Sequence, residues 1–276
     1  MWASSPPAPL GPGLARVLPR ARGVSRQRLE LVLELASAQI RQRDQSTLLG
    51  FAWSFLHPLL LLVLLYAFFN GRIGRDIAHY PVFLLVGLVF YTHFSNSTTS
   101  AGNALIGMTH LTRDTIFPKA LLVVAAVLSS SVEFVVSTVI CLAIAVVAGV
   151  PLTPAVLLLP LVMLMQGWTV LWLSLLLACA YVSARDTGHL HQVFLRLLIL
   201  GTPIFYSPEF LGSGPAQVVL LLNPLAHFVQ WARVLVLDGQ VFPLGPFLAM
   251  AALNALATGA SLLVFRRCEP SFAERI

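Results

Sequence analysis

An all-α membrane protein with six transmembrane helices is the fold that this sequence predicts, on three observations. Apolar residues fill 58 % of the 276 positions and charged ones only 10 %, whereas a soluble domain is about a quarter charged. Six segments hold the roughly 20 mostly apolar residues that a helix needs to cross a ~30 Å hydrocarbon core. They lie at about 50–70, 80–104, 119–148, 155–181, 188–206 and 244–265. Finally, the basic residues gather in alternate loops. Fourteen fall on the side of the N-terminus and only three, Arg72, Arg75 and Arg233, on the other. Lys and Arg collect on the cytoplasmic side, so both termini are expected in the cytosol. The net charge of +6 therefore reports membrane orientation and not a nucleic-acid surface.

Residues 1–25 are rich in Pro, Ala, Gly and Arg and carry no acid. They lack the apolar core of a secretory signal and read as a disordered cytosolic tail. From residue 26 onward the chain reads as one transmembrane domain, 26–276. Its first part, 26–43, places Leu29, Val32, Leu33, Ala36 and Ile40 on one helical stripe, opposite Arg26, Glu30, Glu34, Ser37 and Arg41. Such a helix lies in the membrane interface or packs on a soluble partner. The span that follows almost at once favours the interface.

The second span ends in "SNSTTS", Ser95 to Ser100, a polar patch that either lines a hydrated path or lets helices approach closely. The third begins at "LTRDTIFPKALL", 111–122, and the tripeptide Arg-Asp-Thr recurs at 185–187. The copies lie two spans apart, so an inverted repeat of three helices does not explain them; both fall on the cytosolic side. His191 and Arg196 make the fifth span the least apolar. Between the fifth and sixth, residues 207–243 offer short apolar runs at 216–222 and from 225, broken by Asn223-Pro224. Runs this short are re-entrant or interfacial, not spanning, and irregular backbone at membrane depth needs protein or a wet cavity around it. A re-entrant hairpin capping the outer side is expected.

Chemistry is sparse. Of eleven acids only Glu133 lies well inside a span, with Ser129, Ser130 and Ser137 on its face. Buried ionisable groups point into the bundle or a wet cavity. The trio Glu133, Ser130 and Ser137 is thus either glue between helices or part of a path or dimer contact. The seven histidines are scattered and the three cysteines unpaired in spacing, which supports no metal site. No nucleophile motif occurs, so no catalytic residue is assigned. The single lysine, Lys119, precedes Ala120, so the chain has no P-loop. Ion coupling leaves carboxylates near the midplane, usually in repeats, and Glu133 stands apart. The energy is then expected from a second subunit that pushes on cytosolic loops.

Five stretches, in order, resemble one family. They are "QSTLLGFAWSFLHPLLLLVLLYAFF" (45–69), "IFPKALL" (116–122), "ARD" (184–186), "TPIFYSPE" (202–209) and "NPLAHFVQWAR" (223–233). Together they look like the ABC-2 type permeases that export lipid-linked O-antigen, capsule or teichoic acid. The chain departs from that family's pattern at Arg43-Asp44 and after Lys119. The resemblance implies a homodimer of permeases in the bacterial inner membrane, two ATPase subunits carrying ATP and Mg, and no cofactor on this chain. It implies that the loop from Gly107 to Lys119 contacts the ATPase through Thr112, Arg113, Asp114, Thr115, Phe117, Pro118 and Lys119, with Arg185 and Asp186 as a second contact. It further implies a channel lined by aromatics on which sugar rings stack, with Phe51, Trp53, Phe55, Phe90, Tyr91, Phe94 and Trp168 as candidates. The alternatives are a permease of the same superfamily for a drug or lipid, an ion-coupled carrier, and a membrane-embedded transferase. The last lacks its cluster of acids or histidines.

Overall fold

The computed structural model describes residues 30–39, 53–71, 74–109, 112, 117–184, 186–208 and 214–272. Among these residues every regular element is helical. In chain order they are α1 (30–39), α2 (Trp53–Phe69), α3 (Tyr80–Gly107), α4 (Ala120–Val147), α5 (Leu159–Ser183), α6 (Thr187–Gly201), α7 (Pro215–Leu222), α8 (Pro224–Val236) and α9 (Leu244–Cys268). Short 3₁₀ turns at Gly74–Asp76, Pro154–Leu158 and Glu269–Ser271 join or end them.

Proline sets four of the nine described starts. Pro81, Pro160, Pro215 and Pro224 stand in the first helical turn, where a missing N–H costs nothing and the fixed φ is already helical. The α4 terminus is equally legible. Gly149 adopts φ 77°, its N–H reaches the Val146 carbonyl, and the Val150 N–H reaches Ala145 at 3.0 Å. This is a left-handed helix stop that only glycine enters without strain. Beyond it, the Thr153 hydroxyl caps the next turn by accepting from the Ala155 N–H at 3.3 Å. That hydroxyl also donates to the Gly239 carbonyl at 3.1 Å, tying the loop after α4 to the loop after α8.

The core gathers around α3, which packs against α2, α4, α5, α6 and α8. Its Val82, Leu84, Leu88 and Leu105 are fully enclosed, as are Leu122 and Val123 of α4 and Val162 and Val170 of α5. By contrast, α9 packs mainly on α5. It buries only Phe247, Asn254, Ser261 and Phe265, a single stripe at helical spacing. Leu253, Leu256 and Leu263 point away from the bundle.

Among the described residues, three helical stretches are long and apolar enough to cross a membrane: Ala120–Val147, Pro154–Ser183 and Leu244–Ser271. Each matches an expected span. The other three expected spans also fold as helices, but each differs for a physical reason. The described part of the first is α2, 17 residues. The second, α3, runs 28 residues, and its polar stretch from Ser95 to Ser100 lowers its hydropathy. The fifth, α6, stops at Gly201 after 15 residues, short of the expected 206. Thr202 precedes Pro203 and is extended, with φ −106° and ψ 134°, because a residue before proline is driven out of the helical region. The expected interfacial helix is described only at 30–39, where Val32, Leu35 and Ala36 join the core. The N-terminal 29 residues lie outside the described part.

Candidate functional site

Three places in the bundle bring chemistry-bearing side chains together. The first is a buried cation. Arg233, in the last turn of α8, is enclosed to 2 % exposure. Its side chain donates to the Phe83 carbonyl from Nε at 3.2 Å and Nη2 at 3.1 Å, to Ile204 at 2.7 Å, and to Pro203 through Nη1. The guanidinium carbon also lies 3.3 Å from the Phe83 ring centre. A buried arginine satisfied by carbonyls and an aromatic face is a fixed joint. This one fastens α8 to α3 and to the turn after α6. Asn223 supports the joint at the other end of α8. It caps the Leu225 N–H at 3.0 Å and donates to the Thr202 hydroxyl at 2.9 Å and the Gly201 carbonyl at 3.2 Å. The TPIFY and NPLAHFVQWAR stretches are thus in direct contact. The sequence placed Arg233 merely among the outer charges; its apolar neighbours Phe228, Val229, Ala232 and Val236 were the signal that it lies inside.

The second place is the base of α4. Lys119 is buried, its N–H facing the Glu269 Oε1 at 3.3 Å and its Nζ donating to the Glu269 carbonyl at 3.3 Å. The segment after α9 therefore closes onto the start of α4. Sequence reading singled out Lys119 but not Glu269, since 150 residues separate them. Phe117 and Pro118 are half-buried there, and Phe117 packs on the core. Thr112 faces inward, donating to the carbonyls of Leu105 at 2.7 Å and Met108 at 3.1 Å. It closes the end of α3 and offers no side-chain surface to a partner. Arg113, Asp114, Thr115 and Arg185 lie outside the described residues. Asp186 is exposed at the start of α6 without a side-chain cap, and next to it the Thr187 hydroxyl donates to the Ala180 carbonyl at 3.0 Å.

The third place is the polar face of α4. Glu133, Ser130 and Ser137 line one cleft with Pro58 of α2 and Thr92, His93 and Asn96 of α3. His93 stacks on Phe134 with centroids 4.1 Å apart. Its Nδ1 faces the Gln166 Nε2 at 3.1 Å, and that amide also donates to the Phe90 carbonyl at 2.8 Å. Nothing in the sequence joined Gln166 to this face, because the pairing depends on how α3 and α5 cross.

The aromatic candidates separate by burial. Phe90 and Phe94 are 2 % and 3 % exposed, and Phe90 meets Phe134 edge-on at 5.0 Å. Their rings are spent inside the core and present no face on which a sugar could stack. Tyr91 is half-buried, its hydroxyl donating to the Leu195 carbonyl at 2.9 Å. Trp168 is 37 % exposed and donates to the Thr258 hydroxyl at 2.8 Å. It belongs to a ladder between α5 and α9, in which the Asn254 Oδ1 accepts from Thr169 at 3.0 Å and Trp172 at 2.8 Å. Phe51 lies outside the described residues, as do the side chains of Trp53 and Phe55. Among the described residues no three His, Cys, Asp or Glu side chains converge as metal ligands.

The chain is similar to known proteins over most of its length. The family model described as ABC-2 type transporter matches residues 30–237. The O-antigen export system permease protein RfbA of Myxococcus xanthus is 27 % identical over 247 residues, which is 89 % of this chain and 95 % of that protein. A Klebsiella pneumoniae protein of the same name is 24 % identical over 215 residues, covering 77 % of this chain and 82 % of its own. A further Klebsiella pneumoniae protein of that name is 22 % identical over 246 residues, with 89 % and 94 % covered.

Proposed function

The chain belongs to the ABC-2 type transporter family, and from that premise we propose that it is the permease subunit of an ATP-driven exporter carrying a lipid-linked polysaccharide of the O-antigen class across the bacterial inner membrane. The observation that carries this reading is the extent of the likeness. Three O-antigen export permeases align along 77 % to 89 % of this chain and 82 % to 95 % of themselves, so the similarity is not confined to one shared helix.

In this reading α2, α3, α4, α5, α6 and α9 are the six spans, and α7 with α8 forms a re-entrant hairpin on the outer side. Residues 1–25 are a cytosolic tail and 26–276 the transmembrane domain. The break at Asn223-Pro224 between α7 and α8 and the Arg233 joint support the hairpin, because a cation at membrane depth needs such partners. Two copies of the chain form the path between them, and two ATPase subunits bind ATP and Mg and act from the cytosol. The loop from Gly107 to Lys119 takes up their motion, with Asp186 and its neighbour Arg185 as a second contact. Lys119 passes that motion to the end of α9 through Glu269. Of the seven candidate aromatics, Tyr91 and Trp168 are the described ones with ring surface left for a glycan.

Deleting the gene in its host and running surface and cytoplasmic glycans on a gel tests the reading. Loss of a surface polymer, with its lipid-linked form held inside the cell, is the expected result. An unchanged surface polymer sinks it and moves the chain to drug or lipid export.

A further inference from the structure

Three faces run along α6, and the bundle accounts for only one. That face is buried at His191 and Leu195, where the Tyr181 hydroxyl and the His191 Nδ1 share a hydrogen bond of 2.9 Å. A second face holds Leu190, Phe194 and Leu197, all exposed, and suits the hydrocarbon of a membrane. The third carries His189, Gln192 and Arg196, also exposed. Their spacing of three and then four residues aligns them on one side of the helix.

Arg196 is the residue that needs an explanation. It is the tenth of the 15 residues of α6, about 14 Å along the axis at a rise of 1.5 Å per residue. Arginines near the end of a spanning helix reach the membrane surface, whereas one further in faces a partner or a wet cavity. Among the described residues no side chain or carbonyl bonds to its guanidinium. Arg233, by contrast, is satisfied by three carbonyls and a ring.

A second copy of the chain has little to offer this cation. Of the eleven acids only Glu133 lies well inside a span, and it is buried with an interaction of its own. Charge complementarity then points to an anionic ligand. A guanidinium takes phosphate through two parallel N–H bonds, and His189 and Gln192 add donors on the same side. The rest of α6 fits the other half of such a ligand. Val193 and Leu200, both exposed, lie between the polar stripe and the apolar one at 100° per residue. One helix thus presents a cationic stripe beside a continuous apolar surface, which matches a phosphate joined to a long hydrocarbon chain.

We propose that His189, Gln192 and Arg196 form a binding face for the phosphate groups of the lipid to which the exported polysaccharide is linked. Arg196 holds the anion, and the apolar surface beside it receives the lipid chain. This rests on the lipid-linked substrate of the preceding section.

The test uses the full chain in phosphatidylcholine nanodiscs with two probes, farnesyl diphosphate and farnesol, which share a hydrocarbon chain and differ in the phosphates. The unsubstituted chain should bind the diphosphate about tenfold more tightly. Equal binding of the two overturns the proposal, and that comparison does not depend on how any variant folds. Arg196→Gln should weaken the diphosphate about tenfold, the worth of one hydrogen bond to a charged group, and leave farnesol unchanged. Arg196→Lys, a point charge without the planar fork, should lose less. An undiminished diphosphate affinity in Arg196→Gln overturns the assignment. Adding phosphatidylglycerol to the disc separates the carrier lipid from ordinary headgroups. The effect of Arg196→Gln should persist there, and its disappearance would give the cation to the bilayer and refute the site. In cells, loss of the surface polymer on gene deletion, with full retention in Arg196→Gln, would overturn this site and leave the export reading standing. A polymer unchanged by the deletion would instead remove the reading on which the site rests.

Discussion

The Arg233 guanidinium stacks 3.3 Å from the centre of the Phe83 ring and donates to the carbonyl oxygen of that same residue. One side chain thus holds both the backbone and the ring of a residue 150 positions away. The joint depends on the planar fork of arginine, which lysine does not have. Arg233→Met should lower stability by about 3 kcal/mol, because the carbonyls of Phe83, Pro203 and Ile204 lose their donor while remaining buried. Arg233→Lys should recover only part of that loss. Thermal melts of the protein in nanodiscs would check both, and an unchanged melting temperature for Arg233→Lys would refute the role of the fork.

Gly87 makes room for this joint. A Cβ at that position would lie 2.9 Å from the Arg233 Nη2 and 3.3 Å from the Ile204 Cα. The long side chain can shift, but the backbone of the turn cannot do so cheaply. Gly87→Ala should destabilise the protein by about 1–3 kcal/mol through overpacking. Combined with Arg233→Met it should cost less than the sum, since the two changes strike one contact. A double-mutant cycle on melting free energies measures that coupling, and strict additivity would contradict the geometry.

The ladder between α5 and α9 depends on Asn254, which accepts from Thr169 and Trp172. Because α9 packs mainly on α5, Asn254→Leu should weaken its attachment by about 1–2 kcal/mol, in the range for interhelical bonds in membranes. Pulse proteolysis in nanodiscs should show the last helix becoming more susceptible before the rest of the bundle melts. Simultaneous loss of all segments would argue that α9 is not separately held.

At the base of α4, Lys119→Met removes the donor to the Glu269 carbonyl. The expected loss of stability is about 1 kcal/mol, too little to unfold the chain. Polymer export should nevertheless fall while ATP hydrolysis by the assembled transporter persists, since the proposed role of Lys119 is to pass motion on. Assays of surface glycan and of phosphate release, made on one preparation, would separate the two. Equal decline in both would place Lys119 in assembly of the subunits instead.

Much of the architecture could be read from local signals. Helix starts carried proline, the stop after α4 carried glycine, and the α7–α8 break carried Asn223-Pro224. What stayed hidden depended on distance along the chain. Arg233 looked like a surface charge because the carbonyls that receive it belong to Phe83, Pro203 and Ile204, brought there only by packing. Glu269 was silent for the same reason. Phe90 and Phe94 were expected on a channel through the family resemblance, and nothing local in the sequence shows that other helices cover them. The early end of α6 was written locally, in Thr202-Pro203, but hydropathy alone ran past it.

The narrow attachment of α9 has a mechanical consequence. At 25 residues, it is about 37 Å long at a rise of 1.5 Å per residue, more than the ~30 Å of an average hydrocarbon core. A helix with excess length leans until the mismatch is relieved. Since one stripe alone holds α9 to its neighbour, its slant should follow the thickness of the surrounding bilayer more closely than that of α3, which packs against five other helices. Lipid chain length thereby becomes a control on where Glu269, at the end of α9, meets Lys119.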